Sequence, residues 1–149
     1  KIFIVADSQS SSQIGDISRF KNMDLITPTE HEARISLRNN QSGLVVLAED
    51  LKKISKAKNI LLKMGEEGLL IHANKNHYPK WFTDKIYALN SNPKDVSGAG
   101  DSLFITAAMT LASGGNIWEA AGLGSIAAAV QVSRVGNTPL IKKDIISHI

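Results

Sequence analysis

Apolar residues fall in short runs along this chain, and the spacing within each run limits what it can become. Residues 2–6 are an unbroken apolar stretch that ends at Asp7 and a Ser/Gln-rich segment. A run with no polar face buries both faces, which predicts a parallel strand whose C-terminal end opens on a ligand-side loop. Residues 14–20 predict a helix. Residues 23–27 predict a second short strand, stopped by Pro28, which has no amide hydrogen for a ladder and suits the first turn of a helix. That helix is predicted over 29–37, where Glu30 and Glu32 occupy the turn in which the helix dipole favours acids.

After Gly43, the residues Leu44, Leu47, Leu51 and Ile54 recur at helical spacing, and Lys52, Lys53, Lys56 and Lys58 gather toward the C-terminal end. This predicts an amphipathic surface helix over 44–54. Two apolar runs, 59–64 and 68–72, flank Gly65-Glu66-Glu67 and predict a hairpin or tight connection, and 86–89 reads as an edge strand. From Ala99 the period changes: Leu103, Phe104, Ala107, Ala108 and Leu111 make one helical face, stopped by Ser113-Gly114-Gly115-Asn116. Residues 117–132 predict a second, alanine-rich helix, whose small side chains permit close packing against the first or the approach of a flat ligand. A loop at 136–139 and a short helix over 140–149 follow. Strands alternating with helices predict a three-layer α/β/α fold with a mostly parallel sheet.

Composition narrows the chemistry. A chain of 149 residues, 43% of them hydrophobic, suffices for one domain with a core and is short for two. It contains no cysteine, which excludes a disulfide framework, a thiolate metal site and a cysteine nucleophile. The net charge is +3 and the pI near 9.2, but the basic residues are dispersed, so a solvated helix face accounts for them better than a nucleic-acid surface. His31, His72, His77 and His148 show no paired ligand spacing for zinc, and Trp81 and Trp118 suit packing better than base stacking. No stretch has the roughly 18 apolar residues of a membrane span and none reads as a leader, which together predict a cytoplasmic protein. The chain opens on a strand at Lys1 instead of at a methionine, which predicts that it is part of something longer.

The segment 95–101, Asp-Val-Ser-Gly-Ala-Gly-Asp, carries the candidate chemistry. It stands immediately before a strong helix, so Gly98, Ala99 and Gly100 fall where the amides of the first turn have no partner within the helix. Glycines let a backbone approach phosphate oxygens closely, and the positive end of the helix attracts charge that develops during phosphoryl transfer. A carboxylate at Asp101 would repel phosphate unless it has a task there. Held ionised by the helix N-terminus, it can accept a proton from an attacking hydroxyl. Spacing alone leaves open an ordinary glycine loop with a favourable first-turn acid. The spacing matches neither GxxxxGK[ST] nor GxGxxG.

DVSGAGD followed by an apolar helix resembles the C-terminal signature of the ribokinase, or PfkB, carbohydrate kinases. LITPTEHEA at 25–33 is similar to that family's "PNxxE" segment, and LLKMGEEG at 61–68 to its strand-turn that meets nucleotide phosphates. The likeness spans nearly the whole chain. It leans, in DVSGAGDS, in AAAVQVSRVG and at Lys63, toward the heptose-phosphate kinase domains of ADP-heptose synthesis enzymes.

The resemblance implies a ribokinase-like fold whose N-terminal half and lid lie outside this sequence, residues 1–149 being the C-terminal, nucleotide-binding part and inactive alone. It implies ATP-dependent phosphorylation of a sugar or sugar-phosphate hydroxyl, with Asp101 as general base and the amides of Gly98, Ala99 and Gly100 as anion hole. Lys63, Gly65, Gly68, Ser133 and Gly136 would bind nucleotide, with adenine against the alanine-rich helix. Glu32 would hold Mg2+ through water, and Asp95 and Ser97 a monovalent cation, K+. The expected partners are ATP and the sugar, with a homodimer for the full-length protein and no nucleic acid or membrane. The family's asparagine is Thr29 here, which keeps an oxygen but loses the amide donor. Two other readings stand beside this one: a non-catalytic nucleotide-binding module, and a pyridoxal- or hydroxymethylpyrimidine-type kinase of the same fold.

Overall fold

The structure, a computed structural model, describes residues 2–9 and 15–149. It divides into two compact units, Lys1–Gly65 with Leu70–Lys85, and Glu66–Leu69 with Ile86–Ile149.

The first unit is built on a sheet whose strands, among the described residues, lie in the order β1 (Val5–Ala6), β2 (Leu25–Ile26), β3 (Asn59–Lys63), β4 (Leu69–His72) and β5 (Thr83–Ile86). β1, β2 and β3 run parallel, with Ala6 opposite Ile26 and Ile26 opposite Ile60. The link from β3 to β4 is the 3-10 turn Gly65–Glu67, far too short for a parallel crossover, so this pair forms the expected hairpin and the sheet is mixed. Leu25, Ile26, Ile60, Leu61 and Leu62 are all fully buried, so consecutive side chains are covered on both faces, as unbroken apolar runs require.

Helices α1 (Glu30–Leu37) and α2 (Leu44–Ser55) pack on this sheet. Leu47 and Leu51 of α2 join Ile26, Ala33, Ile60, Leu62 and Leu70 in one core cluster. Each fully buried leucine contributes about 2 kcal/mol. α1 begins in a capping box: Thr29 Oγ1 accepts from the Glu32 amide at 3.2 Å, and Glu32 Oε2 accepts from the Thr29 amide at 2.7 Å.

Several boundaries differ from expectation. Of residues 2–6 only Val5–Ala6 is strand, and Ile2 is 82% exposed. Upstream, Asp24 N still donates to Ile4 O at 2.7 Å, but the Ile4 amide goes to a side chain, Asp24 Oδ2, at 3.0 Å. The helix expected over 14–20 is, within the described residues, one 3-10 turn at Ile17–Arg19, and residue 14 lies outside them. Asp16 accepts from both the amide and the hydroxyl of Ser18, the local bonding by which such residues favour turns over helices. The strand at 23–27 shrinks to β2, and Pro28 stands before the helix cap, its carbonyl accepting the Lys63 amide at 2.8 Å. The strand expected at 86–89 lies upstream as β5, where Ala73 N donates to Phe82 O at 2.6 Å, and Tyr87 and Leu89 are exposed. The final helix is confined to Lys142–Ile146.

The second unit is a helical pair with its loops. α3 (Ala99–Ala112) and α4 (Ile117–Val132) fall where the period placed them. A Cβ on Gly124 would lie 3.1 Å from the Leu103 carbonyl oxygen, and Ala120, Ala121 and Ala127 are fully buried. The small residues of α4 therefore serve helix packing. α5 (Lys142–Ile146) is tied back by Arg134, which donates to Asp144 at 2.9 Å.

Candidate functional site

In the second unit, Gly98 caps α3 with φ of 75° and offers no side-chain cap. That left-handed conformation is open to glycine at little cost. The space is closed as well, since a Cβ there would lie 2.2 Å from Asn137 Oδ1. Ala99, Gly100 and Asp101 form the first turn of α3. The Ala99 amide donates to Val96 O at 3.3 Å, closing a turn, and Ser102 N begins the helical ladder on Gly98 O at 2.9 Å. Helix geometry gives the Gly100 and Asp101 amides no acceptor inside α3, and the Asp101 side chain is exposed. The arrangement offers N–H donors and a helix dipole to an anion, with a carboxylate beside them.

The loop is braced from behind. Asp95 Oδ1 accepts the Ser97 amide and Oδ2 the Gly136 amide, each at 2.9 Å. The bonds from Ser97 and then that from Gly136 hold the Asp95 carboxyl below the usual carboxylate range. Gln131, 1% exposed on α4, donates from Nε2 to Ser97 O at 3.4 Å and to Gly136 O at 3.3 Å. The α4 cap, Ser133, turns its hydroxyl back onto Val130 O at 2.7 Å, and Gly136 has φ of 79°. Asp95, Ser97, Gln131 and Gly136 are thus one hydrogen-bonded assembly, with Gly98 next along the chain.

In the first unit, Lys63 ends β3 and places Nζ 3.1 and 2.9 Å from the two carboxylate oxygens of Asp7, at the end of β1. Their side chains are 14% and 12% exposed. Burial pushes the Asp7 carboxyl above its ordinary value, and the Lys63 charge offsets only part of that. Lys63 also lines an open cleft of ≈360 Å³ with Thr29, Glu30, His31, Arg34, Met64 and Gly65. Arg34 is committed to Glu30 at 2.8 Å and to the carbonyls of Asn39 and Ser42.

Glu32 is 4% exposed, and one of its oxygens closes the capping box of α1. Among the described residues no group of three or more acidic or histidine side chains is gathered for a metal. Mg2+ needs none, since it keeps several waters and is held by one or two carboxylates together with phosphates. A single acid such as Glu32 fits that pattern. Gly65 has φ of 60° with open space around it. Gly68 has φ of 97°, and its missing Cβ would stand 2.1 Å from Ile86 O, so close backbone packing already demands glycine there.

Sequence reasoning missed two residues, Asp7 and Gln131. The signal for Asp7 was visible, an acid at the C-terminal end of a buried strand. Gln131 gave only the weaker sign of a polar residue between two valines on an otherwise apolar helix.

The model of the pfkB family carbohydrate kinases matches residues 2–144. The bifunctional protein HldE of Campylobacter concisus is 30% identical over 141 residues, 92% of this chain and 27% of that protein. The chain thus spans about a quarter of the length of that curated relative. Ribokinase from Thermotoga maritima superposes with a TM-score of 0.78 at 24% identity, over 97% of this chain and 48% of its own. Arabidopsis thaliana ribokinase, solved with ribose and ATP, gives 0.79 at 17% identity, over 98% and 47%. The fold is ribokinase-like.

Proposed function

Because the chain belongs to the pfkB family of carbohydrate kinases, we propose that it carries the nucleotide-binding part of an enzyme that phosphorylates a sugar or sugar-phosphate hydroxyl at the expense of ATP. The observation that carries the reading is the start of α3: an uncapped helix N-terminus, entered through a left-handed Gly98, with Asp101 exposed in its first turn. The likeness to HldE proteins over most of the chain supports a heptose phosphate as the sugar.

In this reading the attacking hydroxyl gives its proton to Asp101 as its oxygen bonds to the γ-phosphorus of ATP, while the bond from that phosphorus to the β,γ-bridging oxygen breaks and ADP leaves. The amides of Gly98, Ala99 and Gly100 are the anion hole. Gly100 is the freest of them, while Ala99 must loosen its 3.3 Å bond to Val96 to take part. ATP supplies the phosphoryl group, and Mg2+ bound with it shields phosphate charge. Glu32 is assigned to that ion through water, and Lys63 to a nucleotide phosphate, with the Asp7 carboxylate holding the ammonium in place until then. Gly65, Gly68, Ser133 and Gly136 are assigned to the nucleotide as backbone contacts and loop formers. No step runs through a monovalent cation.

The test is Asp101→Asn in the full-length protein. Calorimetry with Mg·ATP is expected to show binding retained, and turnover is expected to fall by about a hundredfold or more, the usual worth of a positioned base. Unchanged turnover removes Asp101 from the chemistry. A second reading, a nucleotide-binding module without catalysis, is favoured by Thr29, whose hydroxyl is spent on the α1 cap where the family has an asparagine. Binding of ATP by the full-length protein with no turnover on any sugar or sugar phosphate would select it.

A further inference from the structure

The loop 95–101 has to be held rigid for its amides to face an anion, and the oxygens that tie it to residues 131–136 include the Asp95 carboxylate and the carbonyls of Ser97 and Gly136. A cation binding these oxygens would brace the loop, which is the role the resemblance gives to Asp95 and Ser97. In this structure each of them already has an N–H donor. The Ser97 and Gly136 amides each take one oxygen of Asp95 at 2.9 Å. The two carbonyls share the –NH2 of Gln131, at 3.4 and 3.3 Å, and the Gly136 carbonyl also accepts the Thr138 amide at 3.0 Å. Only the nitrogen end of a carboxamide can meet two carbonyl oxygens, so the orientation of that side chain follows from its partners. Gln131 is 1% exposed and stands in the middle of this set, with the positive end of its amide dipole turned to both carbonyls.

We propose that the Gln131 carboxamide replaces a monovalent cation as the brace of the 95–101 and 133–137 loops, so that this protein presents its α3 N-terminus without K+. A cation drawn to both carbonyls would have to approach the same –NH2 hydrogens that now occupy them, and like partial charges oppose this. Gln131 acts through the loop and is a positioning residue. The inference rests on the reading of 95–101 as a nucleotide loop only for its effect on ATP, and not for its effect on the cation.

The test uses the full-length protein in potassium chloride and in tetramethylammonium chloride at equal ionic strength, with two readouts, thermal unfolding and calorimetry of Mg·ATP. The unsubstituted protein is expected to show the same melting temperature and the same ATP affinity in both salts. Gln131→Glu sets a carboxylate against two carbonyls and turns the brace into a cation ligand set. In tetramethylammonium it should melt lower and bind ATP about threefold to tenfold more weakly, the worth of one or two hydrogen bonds, and K+ should restore both. Gln131→Leu, which keeps the volume without the donor, should show the same loss with weaker recovery.

A rise of several degrees, or an ATP affinity gain of about tenfold, when the unsubstituted protein receives K+ would overturn the proposal. Variants indifferent to the cation would overturn it equally. If the variants fail to fold, the response of the unsubstituted protein to K+ decides alone. If that protein binds no ATP in either salt, the nucleotide reading fails, while the melting temperatures still report on Gln131.

Discussion

The loop at Gly98–Asp101 and the pair Lys63–Asp7 both concern anions, and they are built from different materials. The first is backbone: a left-handed glycine, a helix start and amides that no side chain caps. The second is side chain: an ammonium and a carboxylate drawn from strands whose sequence positions are 56 residues apart and largely removed from water. A backbone site depends on few residue types in consecutive order and can be read from a motif. A side-chain pair depends on which strands become neighbours, and only the parallel ladder that runs from β1 through β2 to β3 decides that.

The contrast can be broken most forcefully at the pair. Asp7→Ala leaves the Lys63 ammonium buried without its partner and is expected to cost about 3 kcal/mol of stability, measured by denaturant unfolding. Replacing both residues together, Asp7→Leu with Lys63→Met, should recover most of that loss, because two charges no longer need to leave water. Recovery would show that the pair is not kept for stability; a double variant as unstable as the single would show that the fold depends on it.

Gly98→Ala probes the other material. A side chain in the left-handed region costs about 1–2 kcal/mol, and here the new methyl also meets the Asn137 side chain. The expected result is a loop displaced from its helix, with ATP affinity reduced about tenfold or more by calorimetry, since each factor of ten is 1.4 kcal/mol. Retained affinity would mean that the amides of this turn do not meet the phosphates.

The smallest effect sharpens the comparison through pH. His72 is fully buried, 3.0 Å from Glu49 and 3.1 Å from Thr83, in the first unit. Burial, aided by the charge of Lys52, pushes its value below the ordinary 6.5, so it is neutral in the fold and bonds to Glu49 without an ion pair. The unfolded chain then takes up the proton first as the solution is acidified. Stability from this group is complete above pH 6.5 and is lost as pH falls below it toward the folded value. A melting temperature that declines on acidification below 6.5, and declines less in His72→Gln, is the expected outcome. The loop before Gly98 responds only in more acid solution: bonds from Ser97 and Gly136 hold the bracing carboxyl of Asp95 below its ordinary 3.8, so its contribution is complete above that value and is lost as pH falls toward the folded one.

Much of the helical structure was legible. The periods at 44–54 and 117–132 mark α2 and α4 almost to the residue, because a 3.6-residue repeat of buried positions is a local property. The strands were legible as runs but not as lengths. Where Asp24 takes the Ile4 amide, or where Phe82 pairs with Ala73, depends on partners remote in sequence. Glu32 and Thr29 show the same limit within one turn, since their types announce a helix start and do not say whether the carboxylate also serves a metal.

What the sequence determined by itself is the order of the strands and of the helices from α1 onward, the family, and the turn at Gly98–Asp101, because each is carried by residues close together along the chain. What only the tertiary structure decided is the company of the remaining polar groups: Lys63 with Asp7, His72 with Glu49, and Gln131 with the carbonyls of Ser97 and Gly136. Their energies depend on burial and on distances of about 3 Å between groups far apart in sequence, which a string of residue types does not contain.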